Sequence, residues 1–193
     1  MNNLKRGLRY IPLTLKDVKL FLFVDGSFAN NKDLSSQIGY ILVLGNESKD
    51  DSQFTLEGNI VHWSSTKYKR ITRLVLTSEI YGMANGVDIG FAITATVNMI
   101  MKQIHLSPIP LVVCTDSYSL YECIVKLGTT REKRLMIDIM ALREMYKRRE
   151  LVDMRWINGS SNLADAIIKA LPNKAIQQLI NSNQLTINVE GWV

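Results

Sequence analysis

Four acidic residues stand in apolar company, and their type and placing suit one kind of chemistry. Asp25 closes the run Leu20–Val24, and Asp116 closes Leu111–Thr115. Glu79 interrupts Leu74–Tyr81, and Asp165 lies within Asn162–Ile168. A carboxylate removed from water is costly unless it meets a cation, a proton or strong donors. Several such groups converging at strand ends would make an oxygen-rich site for a hard divalent ion, Mg²⁺ or Mn²⁺. Two such ions about 3.5–4 Å apart would activate water and stabilise the leaving oxygen of a phosphodiester, with no covalent nucleophile. No phosphate-binding Walker loop, nucleophile elbow or zinc motif competes for the chemistry. Each acid also has a plainer reading by itself. Asp25-Gly26 can start a turn, and Glu79 can sit in a helical first turn where the dipole favours negative charge. Asp116 can cap a helix, and Asp165 can be a surface helix residue. The set, rather than any member, carries the inference.

The elements that must position these residues follow from the hydrophobic pattern. Val18–Val24, Gln37–Leu44 and Asn59–Ser64 read as three strands of a meander, with Gly45-Asn46 as a turn and Asn30–Asp33 as a loop. From Leu74 to Met101 the apolar residues fall on one helical face. Gly82, Gly86 and Gly90 recur along it, a small-residue stripe that would let the helix approach a sheet closely. Leu111–Thr115 has the continuous apolar character of a central strand covered on both faces. Helices are expected over Ser117–Leu127 and Arg131–Glu150, a strand over Val152–Ile157, and a final helix over Asn162–Ile180 interrupted by Pro172. The order βββ-α-β-α-α-β-α implies an α/β fold: a five-stranded mixed sheet with helices on both faces. The carboxyl ends of central strands in such a sheet open into a ligand-binding crevice. If the first and fourth strands are neighbours, Asp25 and Asp116 meet there. The expected organisation is a basic lead-in over 1–17, one domain over 18–181, and a tail over 182–193.

Composition narrows the partners. The chain has 193 residues and is 47% apolar, enough for one domain with a sizeable core. Its net charge of +5 favours an anionic partner such as nucleic acid. Cys114 and Cys123 lie in apolar segments without zinc-like spacing, as buried thiols in a reducing, intracellular compartment would. The charged Met1–Tyr10 does not resemble a secretory leader. The apolar stretch Ile89–Met101 is shorter than the roughly 20 residues a membrane span needs, so no membrane partner is expected.

The motifs themselves resemble those of ribonucleases H. Phe23-Val24-Asp25-Gly26-Ser27 resembles the first-strand motif, Ser78-Glu79-Ile80-Tyr81-Gly82-Met83 the helix motif carrying the glutamate, and Cys114-Thr115-Asp116-Ser117 the fourth-strand motif. Asn162-Leu163-Ala164-Asp165-Ala166-Ile167-Ile168-Lys169 is similar to the closing Asn-Pro-Ala-Asp-Ala-x-x-Lys motif of copia-type retrotransposon polyproteins. His62–Lys67 is similar to a Trp-x-Ser-x-Lys segment of the same elements. The resemblance runs from about Val18 to Lys169 and points to the ribonuclease H domain of a fungal copia-type pol polyprotein.

That resemblance implies an endonuclease that cuts the RNA strand of RNA–DNA hybrids with two Mg²⁺ or Mn²⁺ ions, leaving a 3′-hydroxyl and a 5′-phosphate. Asp25, Glu79 and Asp116 would be the core catalytic and metal-binding residues, and Asp165 a fourth, more exposed one. Gly26 and Ser27 would approach the RNA backbone, while Thr77, Ser78 and Ser117 would reach 2′-hydroxyls in the minor groove. The basic run Lys67, Lys69, Arg70 and Arg73 would line the groove edge and bind phosphates. The basic Arg131–Glu150 helix is read as either a solvated face or a phosphate-tracking patch. Trp63 and Trp156 are expected in the core. The partner would be the hybrid, with the reverse transcriptase domain of the same polyprotein alongside, in a cytoplasmic particle or the nucleus. Two rivals share the fold: a non-catalytic hybrid-binding module, and an integrase- or resolvase-like DNA nuclease. The chain departs from cellular ribonucleases H in three places. Asn158–Ser161 lacks their loop histidine, Tyr118 stands where they have a glutamine, and Leu163 replaces the proline of the copia motif.

Overall fold

The structure is a computed structural model that describes residues 7–27, 35–68, 75–126 and 133–191. Three long strands open it: β1 (Lys19–Ser27), β2 (Ser36–Lys49) and β3 (Gln53–Tyr68). They are followed by α1 (Val75–Gln103), β4 (Leu111–Thr115), α2 (Tyr118–Val125), α3 (Lys133–Lys147) and β5 (Asp153–Ile157). The chain ends with two short helices, α4 (Asp165–Ile168) and α5 (Ala175–Ser182), and a strand β6 (Gln184–Gly191).

β1 is central, antiparallel to β2 and parallel to β4. Its residues alternate strictly between two cores, as the pleat requires. Leu20, Leu22 and Val24 face a core shared with α1, α2 and α3. Phe21 and Phe23 face a second core containing Ile41, Val43, Val112, Leu179 and Ile187. The glycine stripe of α1 does what the sequence suggests. A Cβ on Gly86 would lie 3.0 Å from the Leu22 side chain, and one on Gly90 3.2 Å from Leu111. The helix therefore rests directly on the sheet.

The sequence pattern implies five strands; the described residues form six. β6 pairs antiparallel with both β3 and β5, so the strand order β1-β2-β3-β6-β5-β4 closes on itself. Ile187 and Leu185 alternate with polar residues, a half-buried strand pattern too short and too late in the chain to stand out against a tail. Closure removes the two sheet edges that a five-stranded sheet would leave open. The final helix over Asn162–Ile180 is also revised. After a 3₁₀ turn (Gly159–Ser161), the segment breaks into α4 and α5, because Pro172 cannot continue a helix and the Asn173 side chain accepts the Ala175 N–H at 3.0 Å where the next helix begins.

One buried cation ties the closed sheet together. Arg155 on β5 is fully buried, with its guanidinium 4.4 Å from the Phe54 ring centroid and paired to Glu47 at 2.6 Å and Asp153 at 2.7 Å. Burial alone would raise the Glu47 carboxyl, but hydrogen bonds from Arg155 and Lys19 outweigh it and hold the carboxyl below its ordinary value. Asn side chains fasten the N-terminal segment in the same spirit. Asn59 bonds both the N–H and the C=O of Ile11, and Asn46 both those of Thr14. Trp63, expected in the core, is 55% exposed. It lies at the rim of an apolar recess with Leu8, Ile60 and Ile176, on the stretch of β3 beyond its pairing with β6.

If β6 is integral to the sheet, Ile187→Ala should cost about 3 kcal/mol, the usual range for emptying a buried Ile site. Urea unfolding measures it, and a loss below about 0.5 kcal/mol would show the closing strand to be dispensable.

Candidate active site

The parallel register of β1 and β4 sets the site. Val24 pairs with Thr115, so Asp25 and Asp116 are the next residues along two neighbouring strands. Asp25 is 2% exposed, and its Oδ1 accepts the Gly26 N–H at 2.8 Å. Glu79 lies one turn into α1 and is 7% exposed. Gly26 is what lets α1 bring it so near. A Cβ there would sit 2.7 Å from the Ser78 carbonyl carbon and 2.8 Å from the Glu79 nitrogen. On β2, Gly39 is the register partner of Asp25, and a side chain there would collide with Ile168 of α4. Two glycines, one on β1 and one on β2, thus admit two helices, each carrying an acid, to neighbouring strands.

Asp165 heads α4 and is 6% exposed, so it is not the more exposed member of the set. Asp116 is half-buried and takes that place. The reason is local: the Asn173 N–H donates to Asp165 Oδ2 at 2.8 Å, folding the Pro172 segment over it. Asp116 is held by Asn162, whose Nδ2 donates to Asp116 Oδ1 at 3.0 Å and to the Val24 carbonyl at 2.9 Å. Asn173 Nδ2 in turn donates to the carbonyls of Gly159 and Asn162, both at 2.8 Å. These two asparagines position the acids, and sequence reasoning does not single them out. Asn162 is visible as the first residue of the Asn-Leu-Ala-Asp segment; Asn173 reads only as part of a helix break.

The acids repel one another. The Asp25 carboxyl is raised from 3.8 to about 6, first by burial and then by Asp116, with Lys169 opposing. Glu79 is raised well above its ordinary value, again by burial first and then by Asp25 and Asp116. Asp25 Oδ2 and Glu79 Oε2 are buried and accept no hydrogen bond. The cation at the mouth is Lys169, just past α4. Its ammonium lies 3.1 Å from Asp25 Oδ2, an ion pair without hydrogen-bond alignment, and 2.5 Å from Asp165 Oδ1. Burial would lower the Lys169 ammonium, but the Asp165 hydrogen bond and the Asp25 charge outweigh it and raise it.

All-oxygen donors, with the buried Glu79 Oε2 orphaned and Asp25 Oδ2 meeting only the Lys169 ammonium, suit a hard cation such as Mg²⁺ or Mn²⁺. The acids do not close into a cage of their own: among the described residues no three acidic, histidine or cysteine groups form a ready metal site. Asp25 and Asp165 turn to Lys169 instead.

The other sequence-derived site residues are placed as follows. Ser27 is buried and its hydroxyl donates to the Gln37 carbonyl, 3.4 Å away. Thr77 and Ser78 are buried in the first turn of α1, where the Ser78 hydroxyl bonds the Val75 carbonyl at 2.7 Å. Ser117 is half-buried and caps α2 through the Leu120 N–H. Lys67 is exposed on β3; Lys69, Arg70, Arg73 and Arg131 lie outside the described residues. Tyr118, next to Ser117, is 40% exposed and packs on Trp156 with ring centroids 4.7 Å apart.

No protein-family model and no curated protein matches the chain. Solved structures do. LC11-RNase H1, determined in complex with an RNA/DNA hybrid, is 16% identical at a TM-score of 0.52, covering 82% of this chain and 99% of that one. RNase H1 from the halophilic archaeon Halobacterium salinarum is 16% identical at 0.50, covering 83% and 98%. The N-terminal RNase H domain of a Mycobacterium tuberculosis protein, solved fused to maltose-binding protein, is 18% identical at 0.50, covering 83% and 98%. At such identities the likeness concerns the fold: this chain has the ribonuclease H-like fold, with β6 closing its sheet.

The raised Asp25 carboxyl fixes a sign. Between about pH 4 and 6 the folded metal-free protein keeps a proton that the unfolded chain releases, so its stability falls as pH rises through that window. A bound divalent ion favours the ionised form. The gain in Tm on adding Mg²⁺ should therefore be several degrees larger at about pH 7.5 than at about pH 5. Differential scanning fluorimetry checks this, and a gain independent of pH would remove the carboxylates from the binding event.

Proposed function

We propose that the protein is a metal-dependent endoribonuclease that hydrolyses the RNA strand of RNA–DNA hybrids. The observation that carries the reading is the convergence of Asp25, Glu79, Asp116 and Asp165, from four separate elements, at one buried mouth of a ribonuclease H-like fold. Two Mg²⁺ or Mn²⁺ ions, when bound, would supply an activated water and charge stabilisation for the leaving oxygen. Glu79 would offer its orphaned Oε2, and Asp25 the Oδ2 that the Lys169 ammonium now faces. Asp116 and Asp165 would offer oxygens already aimed by Asn162 and Asn173. Water attacks phosphorus, the bond to the 3′-oxygen breaks, and the products carry a 3′-hydroxyl and a 5′-phosphate. The net charge of +5 suits the anionic hybrid. Gly26, Ser27, Thr77, Ser78 and Ser117 lie along β1, the first turn of α1 and the α2 cap, where they would line the path of the RNA strand, although the Ser27 and Ser78 hydroxyls are bonded within the fold and would have to turn to reach it. Lys67, Lys69, Arg70 and Arg73 would track phosphates beside it.

The closing Asn-Leu-Ala-Asp-Ala-Ile-Ile-Lys segment supports, in this reading, an origin in a copia-type retroelement of fungal kind. It would work beside the reverse transcriptase domain of the same polyprotein, in a cytoplasmic particle or the nucleus. Among the described residues no helix is long and apolar enough to cross a membrane. One observation favours a rival: Lys169 already satisfies two of the acids, as a metal-free binding module would allow.

Labelled hybrid, duplex DNA and duplex RNA should be offered in Mg²⁺ and in Mn²⁺. The parent should cut only the RNA of the hybrid, and Asp116→Asn should lower the rate by at least about a thousandfold without loss of fold by circular dichroism. Preference for duplex DNA would make the protein a DNA nuclease. Hybrid binding without cleavage by the parent would make it a binding module.

A further inference from the structure

We infer that Lys169 is a built-in counter-cation that holds the place of a divalent ion in the metal-free protein and must leave for that ion to bind. The inference rests on the reading of the four carboxylates as a metal site.

Half of the carboxylate oxygens of Asp25 and Asp165 are committed elsewhere. Asp25 Oδ1 is taken by the Gly26 N–H, and Asp165 Oδ2 by the Asn173 N–H. The oxygens left facing the centre are Asp25 Oδ2 and Asp165 Oδ1, and both are on the Lys169 ammonium. A divalent ion that draws on these two residues competes with that ammonium for the same atoms. Lys169 comes from the residue just past α4, four positions after Asp165, so it reaches the mouth from the same turn as one of the acids it neutralises. Its side chain is 36% exposed, so it can swing outward into water without stranding a buried charge. Asp25 and Asp165 are buried and cannot.

One positive charge does not satisfy this mouth. Glu79 Oε2 still accepts nothing, while the single ammonium of Lys169 is shared between Asp25 and Asp165. A divalent ion brings twice the charge and accepts several oxygen ligands, so it wins once its concentration is sufficient. The lysine sets how much is sufficient. While it holds the two acids, the apparent affinity for metal is reduced according to the fraction of molecules in which it is seated. In return, Asp25 and Asp165 are spared from being unpaired in the metal-free domain.

The test is Mn²⁺ binding to chelator-treated full chain, by calorimetry and by electron paramagnetic resonance, with Tm followed in parallel. Lys169→Met keeps the aliphatic stem and removes the charge. It should bind Mn²⁺ roughly tenfold more tightly than the parent, while its metal-free Tm falls by about 3 °C. Lys169→Arg should stay close to the parent in both. A second measurement needs no variant: saturating Mg²⁺ should raise the rate of reductive methylation at Lys169, read by peptide mass spectrometry, and leave the rate at Lys67 unchanged. Lys169→Met binding Mn²⁺ no more tightly than the parent, or a methylation rate at Lys169 indifferent to Mg²⁺, would overturn the inference. A different pattern would overturn the metal site beneath it: no Mn²⁺ bound at millimolar concentration by parent and Lys169→Met alike, or binding that survives Asp116→Asn.

Discussion

Mutual repulsion among buried carboxylates is the constraint around which this molecule is arranged. Four acids drawn to one mouth cannot be accommodated by packing alone, and each is held by a different device. The parallel register of β1 and β4 sets Asp25 beside Asp116. Gly26 removes the one side chain that would keep α1, and so Glu79, at a distance. Gly39 does the same for α4 and Asp165. Asn162 aims Asp116, and Asn173 aims Asp165. A protein selected only for stability would replace these groups with apolar ones, since a partly satisfied buried polar cluster is worse than none. Their retention is what gives the site its functional reading.

Such a mouth needs a rigid frame, and the closed sheet supplies it. β6 joins β3 to β5, so both edges of the meander are tied and the inner core from Phe21 to Ile187 is enclosed on every side. Arg155 lies inside this ring, between Glu47 of β2 and Asp153 of β5. It therefore links strands that are not neighbours in the sheet. Removing one partner of such a buried pair typically costs about 3–5 kcal/mol, because the other charge is left stranded. Charge is thus buried twice. Around Arg155 it is matched by opposite charge and aromatic rings; at the mouth it is under-matched, and only there do buried carboxylate oxygens lack hydrogen-bond partners among the described residues.

Much of this arrangement is legible in the residues, and what is not has physical causes. Leu111–Thr115 is legible to the residue because a continuous apolar run has few other uses. The glycine stripe of α1 is legible because small residues every four positions mark a close approach. β3 is far longer than its pattern suggests, since its outer half carries serines, threonines and Lys67 that mimic a loop. Its inner half is long because β6 pairs with it, a non-local fact absent from the local pattern. Trp63 departs from its expected place for the same kind of reason: β3 outruns its partner strand, and a residue on the overhang meets no inner core. The acids are legible as a set because buried carboxylates are rare. Their order of burial is not, because Asp165 is covered by the Asn173 segment rather than by its own helix. Lys169 belongs to a recognisable motif, but its role as the cation of the mouth emerges only when β1 and α4 are seen side by side.

The loop that lacks a histidine bears on how protons could move here. Asn158–Ser161 forms a tight 3₁₀ turn, stapled by Asn158 to Ser160 and to Glu190, and by Asn173 to the Gly159 carbonyl. A Cβ on Gly159 would lie 3.0 Å from Asp116 Oδ2, so the turn packs its smallest residue directly against the most exposed acid. No side chain that titrates near neutrality faces Asp116 from this turn. In the metal-free mouth protons bind to the acids themselves: Asp25 is raised to about 6, and Glu79 is raised by burial and its acidic neighbours. A divalent ion binding here, as proposed, would compete with the proton for the same oxygens, and the ammonium of Lys169 would compete with both. The occupancy of the mouth would then be a three-way equilibrium, set by pH, by divalent ion and by one flexible side chain.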